Sequence, residues 1–161
     1  MSEDRPQREP KPANRRPPGR SARRRARELV VQGLYQWRVA GQDAAAIEHH
    51  LSADPEYARA DRALFVELLN GALDDSAALI ATLTPLLDRP YTDLSPVEAG
   101  ILLLAAHELA AHPETPYRVI INEAIELAKT FGGTDGHKYV NGVLDRLAAE
   151  LRAAEIRGAT R

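Results

Sequence analysis

The segment SPVEAGILLLAAHELAA, residues 95–111, constrains the fold more than any other stretch of this chain. Ser95 and Glu98 flank Pro96 in the pattern of a capping box, which satisfies free N–H groups at a helix start. The helix that follows is apolar on nearly every side, and such a helix is stable in water only when other elements surround it. The sequence therefore predicts a central helix that is buried by the rest of the fold.

Six further amphipathic segments supply partners for that central helix. In each of them apolar residues recur at spacings of three and four, and alternating strand-like runs do not appear. Pro85 is expected to kink or end the fourth segment. The segments are residues 21–37, 43–52, 59–74, 76–87, 115–131 and 135–151. The chain is therefore predicted to be all-α, with about seven helices.

The first 20 residues lie outside this helical pattern. They hold five prolines and almost no large apolar side chain, so burial cannot offset the entropy lost on ordering them. We expect a disordered arm over residues 1–20, a helical domain over 21–155 and a flexible C-terminus over 156–161. Cysteine is absent, and neither a signal peptide nor an apolar run of membrane-spanning length is recognisable, which favours a soluble protein of a reducing compartment.

The formal net charge of -2 hides a strong asymmetry along the chain. Up to residue 27 there are ten Lys and Arg against three acidic residues, which gives +7, and the remainder carries 11 against 20, or -9. A basic segment on an acidic body is typical of a protein that contacts a polyanion at one edge. A merely solvated tail is the alternative for a charge run of this kind.

The start of the first helix carries cations where the helix dipole disfavours them. These cations form one run, Arg23, Arg24, Arg25 and Arg27. At 100° per residue, Tyr35 falls in line with Arg24 and away from the apolar stripe, so an aromatic ring and an arginine share an exposed face. The arrangement indicates that an external anion lies against this helix.

The start of the last predicted helix repeats this feature. Asp135 is expected to cap the helix, after which His137 and Lys138 occupy its first turn and Tyr139 follows. Phosphates bind helix N–H groups and basic side chains, whereas tyrosines stack on unpaired bases, so single-stranded RNA fits both helix starts. The alternative is that Tyr139 belongs to the core and Lys138 is a solvated surface charge.

No arrangement of residues predicts an enzyme, a metal site or a cofactor. His107 and His112 are five residues apart, which places them on different faces of a helix, unlike the i, i+4 pairs of helical zinc sites. The segment GGTDGHKYVNG, residues 132–142, departs from a phosphate-binding loop because a histidine separates its glycine from its lysine. No strand precedes it either.

Three stretches of the chain carry a likeness to known proteins: RRRARE (23–28), VQGLYQW (31–37) and TPYRVIINEAIELAKTFGGTDGHKYVNGVLDRL (115–147). They resemble the NusB family of bacterial transcription antitermination factors. The SPVE helix fits the same family, residues 42–90 resemble it mainly in pattern, and residues 1–20 extend beyond its usual start. The resemblance implies an all-helical fold of two small packed bundles, no catalysis, and a place in the bacterial cytoplasm.

Members of the family pair with the ribosomal protein NusE and bind the boxA element of nascent RNA. Together they help RNA polymerase read through terminators, notably in ribosomal RNA operons. By this resemblance the chain is expected to work in an antitermination complex. The resemblance leaves open whether the chain also forms a homodimer. The residues that the resemblance places at RNA are Arg23, Arg24, Arg25, Arg27, Tyr35, Arg89, Asp135, Lys138 and Tyr139. Those that it places at the protein partner are Tyr35, Glu98 and Asp135.

Two other classes of function stay open at this point. A similar helical domain is fused to some ribosomal RNA cytosine methyltransferases, but such a chain is expected to continue into a nucleotide-binding domain. This sequence ends shortly after its last predicted helix. A protein-only helical scaffold is the other alternative, and it is expected to show no salt-dependent binding to RNA.

Overall fold

The computed structural model describes residues 21–133 and 135–159 of the chain. Within these ranges eight α-helices form, and strands are absent. The helices are α1 (Ala22–Ala40), α2 (Ala44–Leu51), α3 (Arg62–Asp74), α4 (Ser76–Leu83), α5 (Pro96–Ala111), α6 (Tyr117–Phe131), α7 (Gly136–Leu151) and α8 (Ala153–Ala159). Short 3₁₀ helices occur at Tyr57–Arg59, Thr84–Leu86 and Tyr91–Asp93. The predicted all-α fold is confirmed, with one helix more than the seven expected.

The helix α5 lies at the centre of the fold, as the sequence predicts. Every residue from Ala99 to Leu109 is buried, and α1, α3, α4, α6 and α7 all pack against this helix. Ser95 fixes its start, because the Ser95 Oγ accepts a hydrogen bond from the Glu98 N–H at 3.2 Å. Each large apolar side chain buried here contributes about 1.5–3 kcal/mol to stability. No helix among the described residues has both the length and the apolar composition of a membrane-spanning segment.

Two small bundles share α5. In the first bundle α1, α2 and α3 pack on one another, and in the second α6 and α7 pack on each other and on α5. Close approach of α1 and α2 depends on Gly33, because a Cβ at this position would lie 2.7 Å from the Cγ2 of Ile47. The two-bundle architecture implied by the family resemblance is therefore confirmed.

The ends of two predicted segments differ from expectation. Pro85 lies in the 3₁₀ helix that follows α4, which agrees with the break expected there. After Leu151 the chain turns and forms α8, which the sequence pattern does not predict. This helix includes residues 156–159 of the segment expected to be a flexible C-terminus, and Ile156 packs against the core. The arm predicted over residues 1–20 lies outside the described residues, as do residues 160–161.

Candidate nucleic-acid interface

An arginine and a tyrosine stack where α7 begins. The Arg89 guanidinium carbon lies 5.4 Å from the centre of the Tyr139 ring, within the range of a cation–π contact. Asp88 joins the pair, since its carboxylate accepts a hydrogen bond from Arg89 Nε at 2.8 Å and its N–H donates to the Tyr139 hydroxyl at 3.3 Å. The hydrogen bond from Arg89, followed by that with Tyr139, lowers the pKa of Asp88 from 3.8 to about 2. The structure thus brings two predicted residues together and adds Asp88, for which the sequence gives no signal.

The start of α5 lies beside the start of α7. A Cβ on Gly136, the first residue of α7, would lie 3.0 Å from Glu98 Oε1, so the Glu98 carboxylate rests against the α7 backbone. A carboxylate at this end of a helix is stabilised by the helix dipole. Glu98 also acts on the arginine–tyrosine pair, because the pKa of Arg89 is raised first by Asp88 and to a smaller extent by Glu98.

Asp135 stands at the N-cap position of α7, as predicted, but its side chain makes no capping hydrogen bond within the described residues. Its backbone angles, φ -113° and ψ 4°, differ from the extended conformation that turns a cap carboxylate toward the helix N–H groups. The carboxylate is exposed instead and lies 3.6 Å from Lys138 Nζ. The predicted capping role of Asp135 is therefore wrong, and both side chains lie at the surface.

The arginine run at the start of α1 is balanced by carboxylates from other parts of the chain. Arg24 donates a hydrogen bond to Glu123 of α6 at 3.0 Å, and Arg25 donates one to Glu56 at 2.8 Å. Arg23 is exposed to solvent. Internal anions thus offset the unfavourable position of these cations at the helix start, and α1 does not need an external anion for its stability.

Arg27 is buried, which removes it from the predicted RNA surface. Its Nε donates to the two carboxylate oxygens of Glu108 at 3.2 and 3.1 Å, and its Nη2 donates to one of them at 2.8 Å. The two side chains are only 7% and 4% exposed. Burial disfavours the charge on Arg27, but the hydrogen bonds and charge of Glu108 raise its pKa overall. The predicted contact of Arg27 with RNA phosphates therefore has no exposed guanidinium in this structure to support it.

Tyr35 is 43% exposed, as the helical periodicity predicts. It lines a shallow groove of about 280 Å³ together with other side chains. The remaining lining residues are Val31, Gln32, Gln36, Val97 and Phe131. Val97 directly precedes Glu98, and Phe131 ends α6 shortly before α7, so the groove connects the exposed face of α1 with the two helix starts described above.

One buried polar atom of a residue that lines this groove has no hydrogen-bond partner among the described residues. Gln36 Oε1 is buried and accepts no hydrogen bond from the described residues. A buried polar atom of this kind costs free energy unless a hydrogen-bond donor reaches it. The sequence pattern gives no signal for this feature.

A pair of histidines that the sequence pattern does not bring together lies at the opposite end of α5. The rings of His107 and His112 meet edge to face, with their centres 5.4 Å apart. His112 is the C-cap of α5 and no longer follows helical geometry, so the spacing of five residues does not separate the rings. The prediction that the two histidines face apart is therefore wrong.

The observed architecture defines a class of all-helical, two-bundle proteins that expose basic and aromatic side chains at adjoining helix starts. A model of the family described as the NusB family matches residues 24–149. The chain therefore belongs to the NusB family, and the resemblance seen in the sequence is confirmed.

Named relatives and a solved structure agree with this assignment. A protein of Dechloromonas aromatica (strain RCB) is 57% identical over 145 residues, which cover 90% of this chain and 89% of the relative. A protein of Ralstonia nicotianae is 54% identical over 145 residues, covering 90% and 94%. Both are called transcription antitermination protein NusB. The solved structure of T. maritima NusB matches with a TM-score of 0.69 at 30% identity, covering 79% of this chain and 90% of that one. Transcription antitermination is thus the role of this family.

Proposed function

We propose that this chain pairs with the ribosomal protein NusE, binds the boxA element of nascent RNA and helps RNA polymerase read through terminators, notably in ribosomal RNA operons. The role is one of binding without catalysis, carried out in the bacterial cytoplasm. One observation carries the proposal, namely that Arg89 stacks on Tyr139 at the start of α7, beside the start of α5. Such a pair offers a cation to a phosphate and an aromatic ring to a base.

The proposed RNA surface runs from the start of α7 to the start of α1. Lys138 and Arg23 are exposed at its two ends. Arg24 and Arg25 hold glutamates in the free protein, and a phosphate would replace one charge-assisted hydrogen bond by another. Arg27 does not belong to this surface because Glu108 holds it in the interior.

The proposed surface for NusE is centred on the groove beside Tyr35. Glu98 and Asp135 lie near its end, at the starts of α5 and α7. The ring of Tyr35 would supply apolar contact area with one polar end. The groove thus combines an apolar floor with polar groups at its rim, as expected of a transient protein interface.

The relatives named above are matched over about nine-tenths of their own length. This extent favours the antitermination role over that of a helical domain fused to a methyltransferase. The homodimer stays a prediction, which sedimentation of the purified chain would test.

The proposal is tested by replacing Arg89 with alanine and measuring the affinity of the complex with NusE for a boxA RNA. We expect a loss of about tenfold, or about 1.4 kcal/mol, within the range of about 1–3 kcal/mol for one stacked base. The slope of log affinity against log salt should also decrease by about 0.7 if one phosphate contact is lost.

The matched control is Arg118, whose guanidinium carbon lies 5.6 Å from the ring centre of Tyr117 at the start of α6. The variant R118A removes an arginine–tyrosine contact outside the proposed surface, so it should bind boxA as the unchanged chain does. Equal losses in R89A and R118A would contradict the proposed location. Equal binding of boxA and a scrambled RNA, with and without NusE, would contradict the function, and no binding to either RNA would favour the protein-only scaffold.

A further inference from the structure

Three side chains of the kinds that ligate metal ions converge at the C-terminal end of α5. Glu67 belongs to α3, His107 to α5, and His112 is the residue that caps α5. One donor atom from each lies within 4.8 Å of the other two. We propose that Glu67, His107 and His112 form a binding site for a divalent transition-metal ion, with Zn²⁺ as the best match.

The distances between the donor atoms suit such an ion. His107 Nε2 lies 3.2 Å from Glu67 Oε1, and His112 Nε2 lies 2.6 Å from Glu67 Oε2. Two ligand atoms at about 2.0–2.1 Å from a tetrahedral zinc ion are about 3.3 Å apart, and both separations lie within about 0.7 Å of that value. The ion takes the place of the proton that each of the two Nε2 atoms now shares with the carboxylate, and each proton moves to the other nitrogen of its ring or is released to solvent.

The types of ligand atom also indicate which metal ions the site would bind. Two imidazoles and one carboxylate, with no thiolate, match zinc sites that have three protein ligands and leave a fourth position for water. Imidazole nitrogen suits Zn²⁺, Cu²⁺ and Ni²⁺, whereas Mg²⁺ and Ca²⁺ prefer sites built from oxygen alone. The site would therefore bind Mg²⁺ and Ca²⁺ less well than these transition metals.

The ring of His107 is held in place by the packing of α3. Its side chain is only 4% exposed. A Cβ on Gly71 of α3 would overlap this ring, so glycine is the residue that leaves room for it. A glycine inside a helix costs about 0.5–1 kcal/mol relative to alanine, and here that cost makes room for a buried imidazole facing Glu67.

His112 is oriented from two sides. Its Nδ1 lies 2.7 Å from Glu114 Oε1, on the side of the ring away from Glu67. A second carboxylate in this position fixes the ring and strengthens the metal-facing nitrogen as a ligand. The backbone carbonyl of His112 accepts a hydrogen bond from Arg152 Nη2 at 2.7 Å, which anchors the C-cap itself.

This site lies at the end of α5 opposite to Glu98 and the Arg89–Tyr139 pair. The 16 residues of α5 extend for about 24 Å, with Glu98 in the first turn and the histidines at the other end. A bound ion would link α3 of the first bundle directly to the end of α5. It would therefore add a crosslink between α3 and α5, which already pack together in the hydrophobic core.

The experiment adds Zn²⁺ alone to the full chain after removal of metal with a chelator, and it uses calorimetry to measure stoichiometry and affinity. We expect one ion per chain and a higher midpoint of thermal unfolding, because an ion that binds only the folded state stabilises it. E67Q and H112N should weaken binding by more than about 100-fold. E114Q, which keeps all three ligands, should weaken it by about 10–100-fold, the usual effect of losing a supporting carboxylate.

The matched control is the variant H49N/H50N, which removes an exposed pair of neighbouring histidines on α2. It should bind Zn²⁺ as the unchanged chain does. Absence of binding to the unchanged chain, or a loss in H49N/H50N together with full binding by H112N, would overturn the proposal. Circular dichroism of each variant confirms that its helices are intact.

Discussion

Replacing Arg27 with methionine tests whether this arginine of the run in α1 stabilises the fold and does not bind RNA. Arg27 donates three hydrogen bonds to Glu108, and both side chains are more than nine-tenths buried. The variant R27M leaves the Glu108 carboxylate buried without its partner, and breaking such a pair costs about 3–5 kcal/mol. We therefore expect the free energy of unfolding of R27M to be lower by about 3–5 kcal/mol.

Urea unfolding followed by circular dichroism, with linear extrapolation to water, measures this change. The double variant R27M/E108L removes both charges and should recover most of the loss, because apolar replacement of a buried ion pair is often neutral. Lys129 serves as the control, since its ion pair with Glu126 is about half exposed and K129A should change stability by less than about 1 kcal/mol.

Two results would refute this reasoning about Arg27. One is a loss of stability in R27M no larger than that in K129A, which would mean that burial of the pair has no energetic consequence. The other is a reduced affinity for boxA RNA in R27M under conditions where it is fully folded. That result would return Arg27 to the RNA surface from which its burial removes it.

Two further predictions concern the effect of alanine at two helical glycines on stability and the pKa of the Asp88 carboxyl group. Alanine at Gly33 should destabilise the chain by about 1–3 kcal/mol because its methyl group would overlap Ile47, whereas alanine at Gly142, whose Cβ meets no described atom within 4 Å, should stabilise it by up to about 1 kcal/mol. Thermal unfolding of both variants tests this difference in sign. An NMR titration should give a pKa of about 2 for the Asp88 carboxyl, and in R89A that pKa should rise toward 3.8. Because folding lowers this pKa, the contribution of Asp88 to stability is present above pH 3.8 and is lost as the pH falls through about 2. A value that stays near 2 in R89A would show that Arg89 does not cause the shift.

Much of the fold could be predicted from the sequence because its signals are local. The order Ser95, Pro96, Glu98 sets the start of α5 within four residues, and the apolar character of the next turns follows directly. The stripe on α1 likewise identified Tyr35 as exposed. The helix α8 was missed because it has only seven residues, fewer than a periodicity can establish.

The site was harder to predict because its decisive contacts join distant parts of the chain. Arg27 meets Glu108 across 81 residues, and no spacing rule connects α1 with the middle of α5. A helical wheel shows which face a residue occupies, but it does not show which carboxylate lies opposite. The misplaced cations of α1 were a true signal of nearby anions, and the structure shows that the chain supplies several of those anions itself.

Because α5 belongs to both bundles, it determines how the protein unfolds. Detaching either bundle would expose to water one side of a helix that has no polar face to present. Partial opening should therefore be nearly as unfavourable as complete unfolding, and backbone amides of α5 should exchange with solvent deuterium only through rare global events. Because the two bundles share the buried helix α5, the protein is expected to unfold in a single cooperative transition.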